Sequence, residues 1–550
     1  MERFLEKAFE VALAELGAPP GTPVKFEQPQ NEQHGDLSTN VAMLLAKTLL
    51  RPPREIAKEI IARLHLDHGH VRSVEIAGPG FINITFDRQY FTNGLRDVLA
   101  AGPDFGRGQT NLSKSINLEW VSANPTGNLH AGHGRQVCLG QAIANLLDWT
   151  GATVTREYYF NNAGNQMANL AKSVRVRYLQ ELGDALDLDE DGYRGAEIVE
   201  IARELARQFG EDKRSAPLSS FQSFGEQENF KHIRATLERL GVHHDIFFNE
   251  NSLYDSGAIK ETIAEFKVRG LAYEKDGALW LKLSEMGEKE DRVIVRSTGE
   301  PTYRLPDICY HRDKLSRGYD EIIDIFGADH IATIPDVLAA LRALGYDTSR
   351  IKVVIHQMVS FVSGEELIKF SKRSGDAYSL DELLDDVGTD AAKFFFNMRS
   401  AGSHLEFDVA LAREQSEKNP VYYVQYAHAR IASILRFARQ QGLDISSAER
   451  ASDDSSSALD RLEHEEELRL IKVLLRFPDV VAHSASALAP HHICEYLREV
   501  AAQFHKFYQV CRIVGGPKEL EIPRLLLALA TKRIIASGCA ILGVSAPESM

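Results

Sequence analysis

Cysteine is scarce and scattered. The five in the chain, Cys138, Cys309, Cys494, Cys511 and Cys539, form no CxxC pair, which argues against a disulfide framework and a structural zinc site and fits a reducing compartment. Long apolar runs are missing too: none approaches the roughly 18 uninterrupted residues of a membrane span. The opening MERFLEKAFEVALAEL mixes acids into a helical apolar spacing and has neither the basic region nor the cleavage site of a secretory leader. Together these absences predict a cytoplasmic protein without a membrane partner. Basic residues are not in excess either, since 63 Lys and Arg stand against 78 Asp and Glu, a net charge of −15. The global electrostatic footprint of a nucleic-acid binder is therefore lacking, although a local basic groove can coexist with an acidic surface. No internal repeat of fixed period is present.

What is there suits a large globular protein. At 550 residues, 44% hydrophobic and 26% charged, the chain exceeds one ordinary core, and three or four domains are expected. Residues 1–110 read as a small mixed α+β domain, with helical spacing in STNVAMLLAKTLL and PPREIAKEIIARLHL and strand alternation in VRSVEIAGPGFINITF. From about 115 the pattern becomes βαβ: SINLEWVSANPTG reads as strand and turn, HAGHGRQVCLGQAIANLLDWTG as a helix, TVTREYYF as the next strand. This predicts a parallel-sheet nucleotide-binding domain over 111–405, split by a helical insertion at about 165–290, with strands returning in EIIDIFGADH and IKVVIHQMVSF. After 405, four amphipathic stretches predict a helical bundle over 406–550, and the Ser/Asp-rich SSAERASDDSSSALD reads as a flexible loop.

Two short stretches carry chemistry. NPTGNLHAGHGR, residues 124–135, turns a strand into a helix on glycines, and such a corner offers unpaired N–H groups and a positive helix end to phosphate. His130 and His133, three apart, fall on one face of the helix start, where both can bond one phosphoryl group and stabilise developing charge. HxxH alone also suits an ordinary surface helix, and it lacks the HExxH spacing of a helical zinc site. The second stretch, LIKFSKRSGDAYS, sets Lys369, Lys372 and Arg373 around Ser371 ahead of Gly375. A short basic loop of this kind suits a triphosphate clamp, and the 363–376 segment is expected to open and close.

HAGH resembles the HIGH signature, and KFSK the KMSKS signature, of class I aminoacyl-tRNA synthetases. Within that class, EWVSANPTGNLHAGHGR, REYYFNNAGNQM, VRSTGEPTYRLPDICYHRDKL, FGADH and the ending LLALATKRIIASGCAILGVSAPESM are similar to arginyl-tRNA synthetases, and HGDLSTNVAM with AGPGFINITF resembles that family's additional N-terminal domain. The resemblance covers nearly the whole chain. It departs at Ala131, where HIGH has isoleucine, and at Phe370, where KMSKS has methionine; both keep a neutral packing side chain.

The resemblance implies a multidomain α/β fold, with a Rossmann-type catalytic domain and an all-α anticodon-binding bundle. The implied reaction is ATP-dependent activation of L-arginine and its transfer to the 3′-terminal adenosine of tRNA(Arg), with Mg2+ accompanying ATP and no structural metal. His130, His133, Lys369 and Lys372 are the implied catalytic set, and Gly132, Gly327, Asp329, His330, Gln357 and Ser371 join them around ATP. Arginine selection falls to Glu119, Ser122, Asn124, His130, Tyr303 and Asp307, with Glu119 and Asp307 bracketing the guanidinium, a planar group with five donors. Phe81, Asn83, Tyr423, Tyr426 and Tyr508 are the implied tRNA contacts, although a helix core would space those last three tyrosines the same way. Phe81 stands where members often have tyrosine, so stacking is retained while a phenolic hydrogen bond is not. A monomer is expected.

Overall fold

The computed structural model describes residues 2–29, 31, 34–66, 70–364, 366–368, 378–443 and 458–550. Its centre is a five-stranded sheet in the order Ile351–His356, Glu321–Gly327, Ser115–Glu119, Thr153–Phe160, Ile246–Asn249, every pair parallel. From Ser115–Glu119 the chain winds outward through Thr153–Phe160 and Ile246–Asn249, then returns to the opposite side for the last two strands. The order therefore reverses between Ser115–Glu119 and Glu321–Gly327, and such a switch point opens a crevice at the carboxyl ends of the strands.

The helix His133–Trp149 crosses between the first two strands and is buried on nearly every side, because it lies between the sheet and the C-terminal helices. At Gly140 a methyl group would approach the Trp120 ring to 2.2 Å. Gly140→Ala is expected to destabilise the protein by about 1–3 kcal/mol through overpacking, read as a lower urea midpoint at unchanged slope.

The segment expected as a helical insertion is divided. Helices Asn165–Glu181, Ala196–Phe209 and Leu218–Arg239 pack around a separate small core, but Ile246–Asn249 is an edge strand of the central sheet. An antiparallel sheet of Ala272–Lys275, Ala278–Leu281 and Arg292–Val295 follows. The four-residue edge strand is too short to alternate visibly, which is why the pattern hid it.

At the N-terminus, strands Leu37–Thr39, Phe81–Phe86 and Val71–Ala77 form an antiparallel sheet with Phe81–Phe86 in the middle. The helix Arg88–Ala101 leaves this sheet and packs on Glu465–Leu475 of the C-terminal bundle, where Gly94 lies so close to Leu475 that a methyl group would come within 2.6 Å. Arg96 pairs with Asp460 at 2.8 Å across the same seam. Helix Lys518–Leu542 has the length and composition of a membrane-crossing segment, which the sequence reading did not expect, yet 78% of its most apolar window is buried inside the protein. It is a core helix of the bundle. Most of the Ser/Asp-rich loop, residues 446–457, lies outside the described residues.

Candidate active site

The crevice is built on a strained turn. Directly after the strand Ser115–Glu119, Val121 and Ser122 adopt left-handed backbone, at φ 71° and 44°, which costs non-glycine residues about 1–2 kcal/mol each. The turn aims the Ser122 hydroxyl back at Glu119, to which it donates at 2.9 Å, while the same oxygen accepts from the Tyr159 amide at 3.0 Å. Ser122 is thereby committed to holding the turn.

The histidine corner follows. Gly132 precedes the helix His133–Trp149 without a side-chain cap, and a methyl group there would sit 2.9 Å from the His130 ring, so glycine lets that ring fold back. The two imidazoles stack at 3.7 Å with 23° between planes. The His130 amide donates to His133 Nδ1 at 3.2 Å, which leaves the proton of a neutral His133 on Nε2, pointing outward as a donor. Burial lowers both histidines, His133 to about 3 with further help from His130 and His356. Neutral donors rather than cations thus face the crevice.

Opposite the corner lies the segment that leaves the basic loop. Ala131 donates to the Tyr378 carbonyl at 2.8 Å, Leu380 to that of Leu129 at 2.7 Å, and His130 bridges Ser379. Ser379 also caps helix Leu380–Val387 with Glu382 in a capping box. Lys369, Ser371 and Lys372, with Phe370, Arg373 and Gly375, lie outside the described residues.

Joined to the strained turn through Glu119 is a set of buried charges. Lys314, fully buried, donates to Glu119 and, at 2.6 Å, to Asp324. His311 faces two acceptors, the Asp307 carbonyl at 2.8 Å and the Asp324 carboxylate at 3.0 Å. Burial opposes its charge, but Asp324 outweighs that and raises its pKa. Burial would likewise raise Asp324, yet Lys314 and His311 hold it below the usual range. Glu157 takes a two-pronged bond from Arg317 at 2.7 and 2.9 Å.

Two carboxylates in this region make no ion pair among the described residues. Glu250, 5% exposed, accepts only neutral hydroxyls, including Tyr159 at 2.9 Å, and burial raises it. Asp307 is raised to about 7, by burial first; His311 and, more weakly, Lys314 pull it down, while Glu119 and Glu250 push it up. Glu119, expected to bracket a guanidinium, already has its oxygens on Lys314 and Ser122; Asp307 and Glu250 are the two without an ion pair among the described residues. Glu250 was not legible in NENSLYD, whereas His311 and Lys314 follow Asp307 by four and seven on helix Arg304–Ser316 and share its face.

The other expected arginine contacts converge through a residue the sequence reading passed over. Asn124 donates to Gln166 at 2.7 Å, and Gln166 reaches the Tyr303 hydroxyl at 3.5 Å. Tyr303 itself is 61% exposed, an aromatic lip on the crevice. On the far side of the switch point, Gly327 leads into a short turn where Asp329 and His330 stand 3.6 Å apart and exposed. Gln357 is held by its backbone: Arg135 donates to its carbonyl at 2.7 Å and to that of Ser400 at 2.9 Å.

The expected tRNA contacts separate. Phe81 is 37% exposed, but Asn83 is buried and its side-chain oxygen accepts from Ser38 at 2.7 Å within the sheet. In the bundle, Arg430 lies over the rings of Tyr508 and Tyr426, at 4.5 and 5.6 Å. His505 joins Tyr426 to Tyr423.

A parallel sheet whose strand order reverses beside a glycine-rich HxxH corner is the arrangement of the class I aminoacyl-tRNA synthetases. Residues 95–400 match the model of the class I (R) tRNA synthetase catalytic domain, 3–86 that of the arginyl-tRNA synthetase N-terminal domain and 424–550 that of the DALR anticodon binding domain. Similar proteins include the arginine–tRNA ligases of Desulfotalea psychrophila, 46% identical over 95% of this chain and 94% of that one, and Salinibacter ruber, 45% identical over both whole chains. The Thermus thermophilus arginyl-tRNA synthetase structure shares the fold, with a TM-score of 0.78 at 23% identity and full coverage of both chains. The chain belongs to the arginyl-tRNA synthetase family.

Proposed function

We propose that the crevice activates L-arginine with ATP, and the observation carrying this reading is the buried acids Asp307 and Glu250, which make no ion pair among the described residues, in a protein whose His130–His133 corner is neutral. The reaction is that of an arginine–tRNA ligase: arginine and ATP give arginyl-adenylate and pyrophosphate, and the arginyl group passes to the 3′-terminal adenosine of tRNA(Arg), releasing AMP. Asp307 and Glu250 would grip the guanidinium, each as a charge-assisted acceptor, with Tyr303 closing over its face. Asn124, ordered by Gln166, and His130 would orient the α-amino end. Glu119 and Ser122 would act by shaping the wall.

For the chemical step, the amino-acid carboxylate attacks the α-phosphorus and pyrophosphate leaves. His133 Nε2–H and the His130 ring would bond phosphoryl oxygens as their charge grows, an electrostatic contribution that needs no proton transfer. Lys369 and Lys372, with Ser371, would hold the leaving pyrophosphate. Gly132, Gly327, Asp329, His330 and Gln357 would frame the nucleotide, and Mg2+ would enter with ATP. Phe81 and the Tyr423, Tyr426, Tyr508 cluster would stack on tRNA bases. Division at about 110 and 405 gives these parts separate domains, in a cytoplasmic monomer.

The test is ATP–pyrophosphate exchange with each of the twenty amino acids, with and without tRNA. Exchange with arginine alone is expected; exchange with a different amino acid would remove the pocket assignment, and none at all from folded protein would remove the catalytic reading. The pH dependence checks the pocket independently. Because only ionised Asp307 attracts a guanidinium, and its pKa is about 7, KM for arginine is expected to rise about tenfold from pH 8 to pH 6. An unchanged KM would dissociate Asp307 from the substrate.

A further inference from the structure

His356 takes no part in the scheme above, yet its position is unusual. It ends the strand Ile351–His356, paired in register with Gly327 at the carboxyl edge beside the switch point. The side chain is only 9% exposed. One ring nitrogen, Nδ1, lies 3.3 Å from the Gln357 carbonyl; a carbonyl has no proton to give, so Nδ1 carries the hydrogen. The other, Nε2, is buried with no hydrogen-bond partner among the described residues. An orphaned buried nitrogen costs about 1–3 kcal/mol, which an apolar residue would avoid.

The ring lies at the carboxyl edge of the sheet, near the turn that carries Asp329 and His330. It is close enough to His133 to lower that residue's pKa, and it senses Asp329 and His330 in turn. Gly327 lets the two side chains share this edge, since a methyl group there would stand 2.5 Å from Asp329 Oδ1 and 3.8 Å from His356 Nε2. Burial keeps the imidazole neutral at pH 7, so with hydrogen on Nδ1 the unused chemistry of Nε2 is a lone pair. That is the reverse of His133, whose Nδ1 is occupied by a backbone N–H and whose Nε2 is the donor.

A lone pair cannot bond a phosphoryl oxygen or a carboxylate, which at neutral pH offer only lone pairs themselves. ATP carries donors at two places, the ribose hydroxyls and the adenine amino group. The neighbouring Asp329 is a second acceptor on the same turn, and two acceptors beside a glycine suit a sugar with two hydroxyls. We propose that His356 reads the ribose of ATP, its Nε2 accepting a hydrogen bond from one ribose hydroxyl and so positioning the nucleotide against the His133 donor. The inference rests on the crevice being the ATP site described above.

The experiment is arginine-dependent ATP–pyrophosphate exchange, run with tRNA present, by the wild-type protein, His356→Leu and His356→Gln, each with ATP, 2′-deoxy-ATP, 3′-deoxy-ATP and purine riboside triphosphate. His356→Leu removes the orphaned atom and is expected to melt no lower than wild type, while its KM for ATP rises about tenfold and its KM for arginine stays unchanged. With one of the two deoxy analogues the leucine variant is expected to lose nothing further, because the bond is already absent. His356→Gln, which places an amide oxygen near Nε2, should recover most of the ATP affinity.

Additive penalties for both deoxy analogues would overturn the proposal, as would glutamine behaving like leucine. A lost penalty with purine riboside triphosphate instead would assign the lone pair to adenine and equally overturn the ribose reading. If the wild-type protein shows no exchange, the failure lies with the ATP site itself rather than with His356.

Discussion

Asp307→Asn is expected to lower kcat/KM for arginine at least a hundredfold and, at the same time, to raise the melting temperature at pH 8. The kinetic loss follows from removing one of two charge-assisted acceptors in a buried site, where a lost ionic partner costs about 2–5 kcal/mol. The stability gain follows from linkage. A carboxyl whose folded pKa lies above its unfolded value is least costly when protonated, so its favourable contribution is complete below the unfolded pKa and is lost as pH rises through the folded one. With a folded value of about 7 against an ordinary value of about 4, the ionised Asp307 weighs against the empty protein by roughly 4 kcal/mol at most at pH 8. Asparagine is neutral at every pH and escapes that cost. The melting advantage of the variant should therefore be largest at pH 8, shrink between pH 7 and pH 4, and reverse in sign for wild-type protein saturated with arginine. Thermal melts with and without arginine across that range check it; a variant less stable at pH 8 would show that Asp307 already has a cation.

The second large effect belongs to Lys314. Its ammonium is the shared partner of Glu119 and Asp324, all three nearly inaccessible to water. Lys314→Met fills much the same volume but leaves two buried carboxylates with a single histidine between them. Breaking a buried ionic group from one side costs about 3–5 kcal/mol, enough to unfold much of a protein of ordinary stability. Loss of cooperative unfolding, or a large fall in the urea midpoint, is expected. Both carboxylates should then take up protons on folding, so the variant's deficit should narrow as pH falls toward 5. A midpoint within experimental error of wild type would mean that water, rather than the lysine, compensates these acids.

Much of this arrangement was legible in the sequence because it is local. The strand–turn–helix at 115–149 declares itself through alternation, glycines and a helical period within one stretch of chain, and the structure forms the helix from His133 onward. The role left for Glu119 was not legible, because it depends on Lys314, almost two hundred residues away, and no local pattern says that a conspicuous acid is already neutralised. Glu250 was hidden for the opposite reason. It sits after an edge strand of four residues with no period to read, and only the sheet brings it to Asp307. Asn83 shows the same limit at the N-terminus, where a polar residue beside an exposed phenylalanine turned out to bond its neighbouring strand. What sequence patterns miss here is the pairing of distant charges, and that pairing decides which carboxylates are left without an ion pair.

The seam between helix Arg88–Ala101 and the C-terminal bundle sets a timetable for synthesis. Gly94 meets Leu475 across about 380 intervening residues, which a ribosome adds in roughly 20–80 s at 5–20 residues per second. Until then the N-terminal unit has emerged with its docking face bare, a surface shaped to receive a leucine that has not yet been translated. Newly made chains are therefore sticky for most of their own elongation, and anything that slows translation after residue 101 lengthens the window in which a holdase chaperone can capture them.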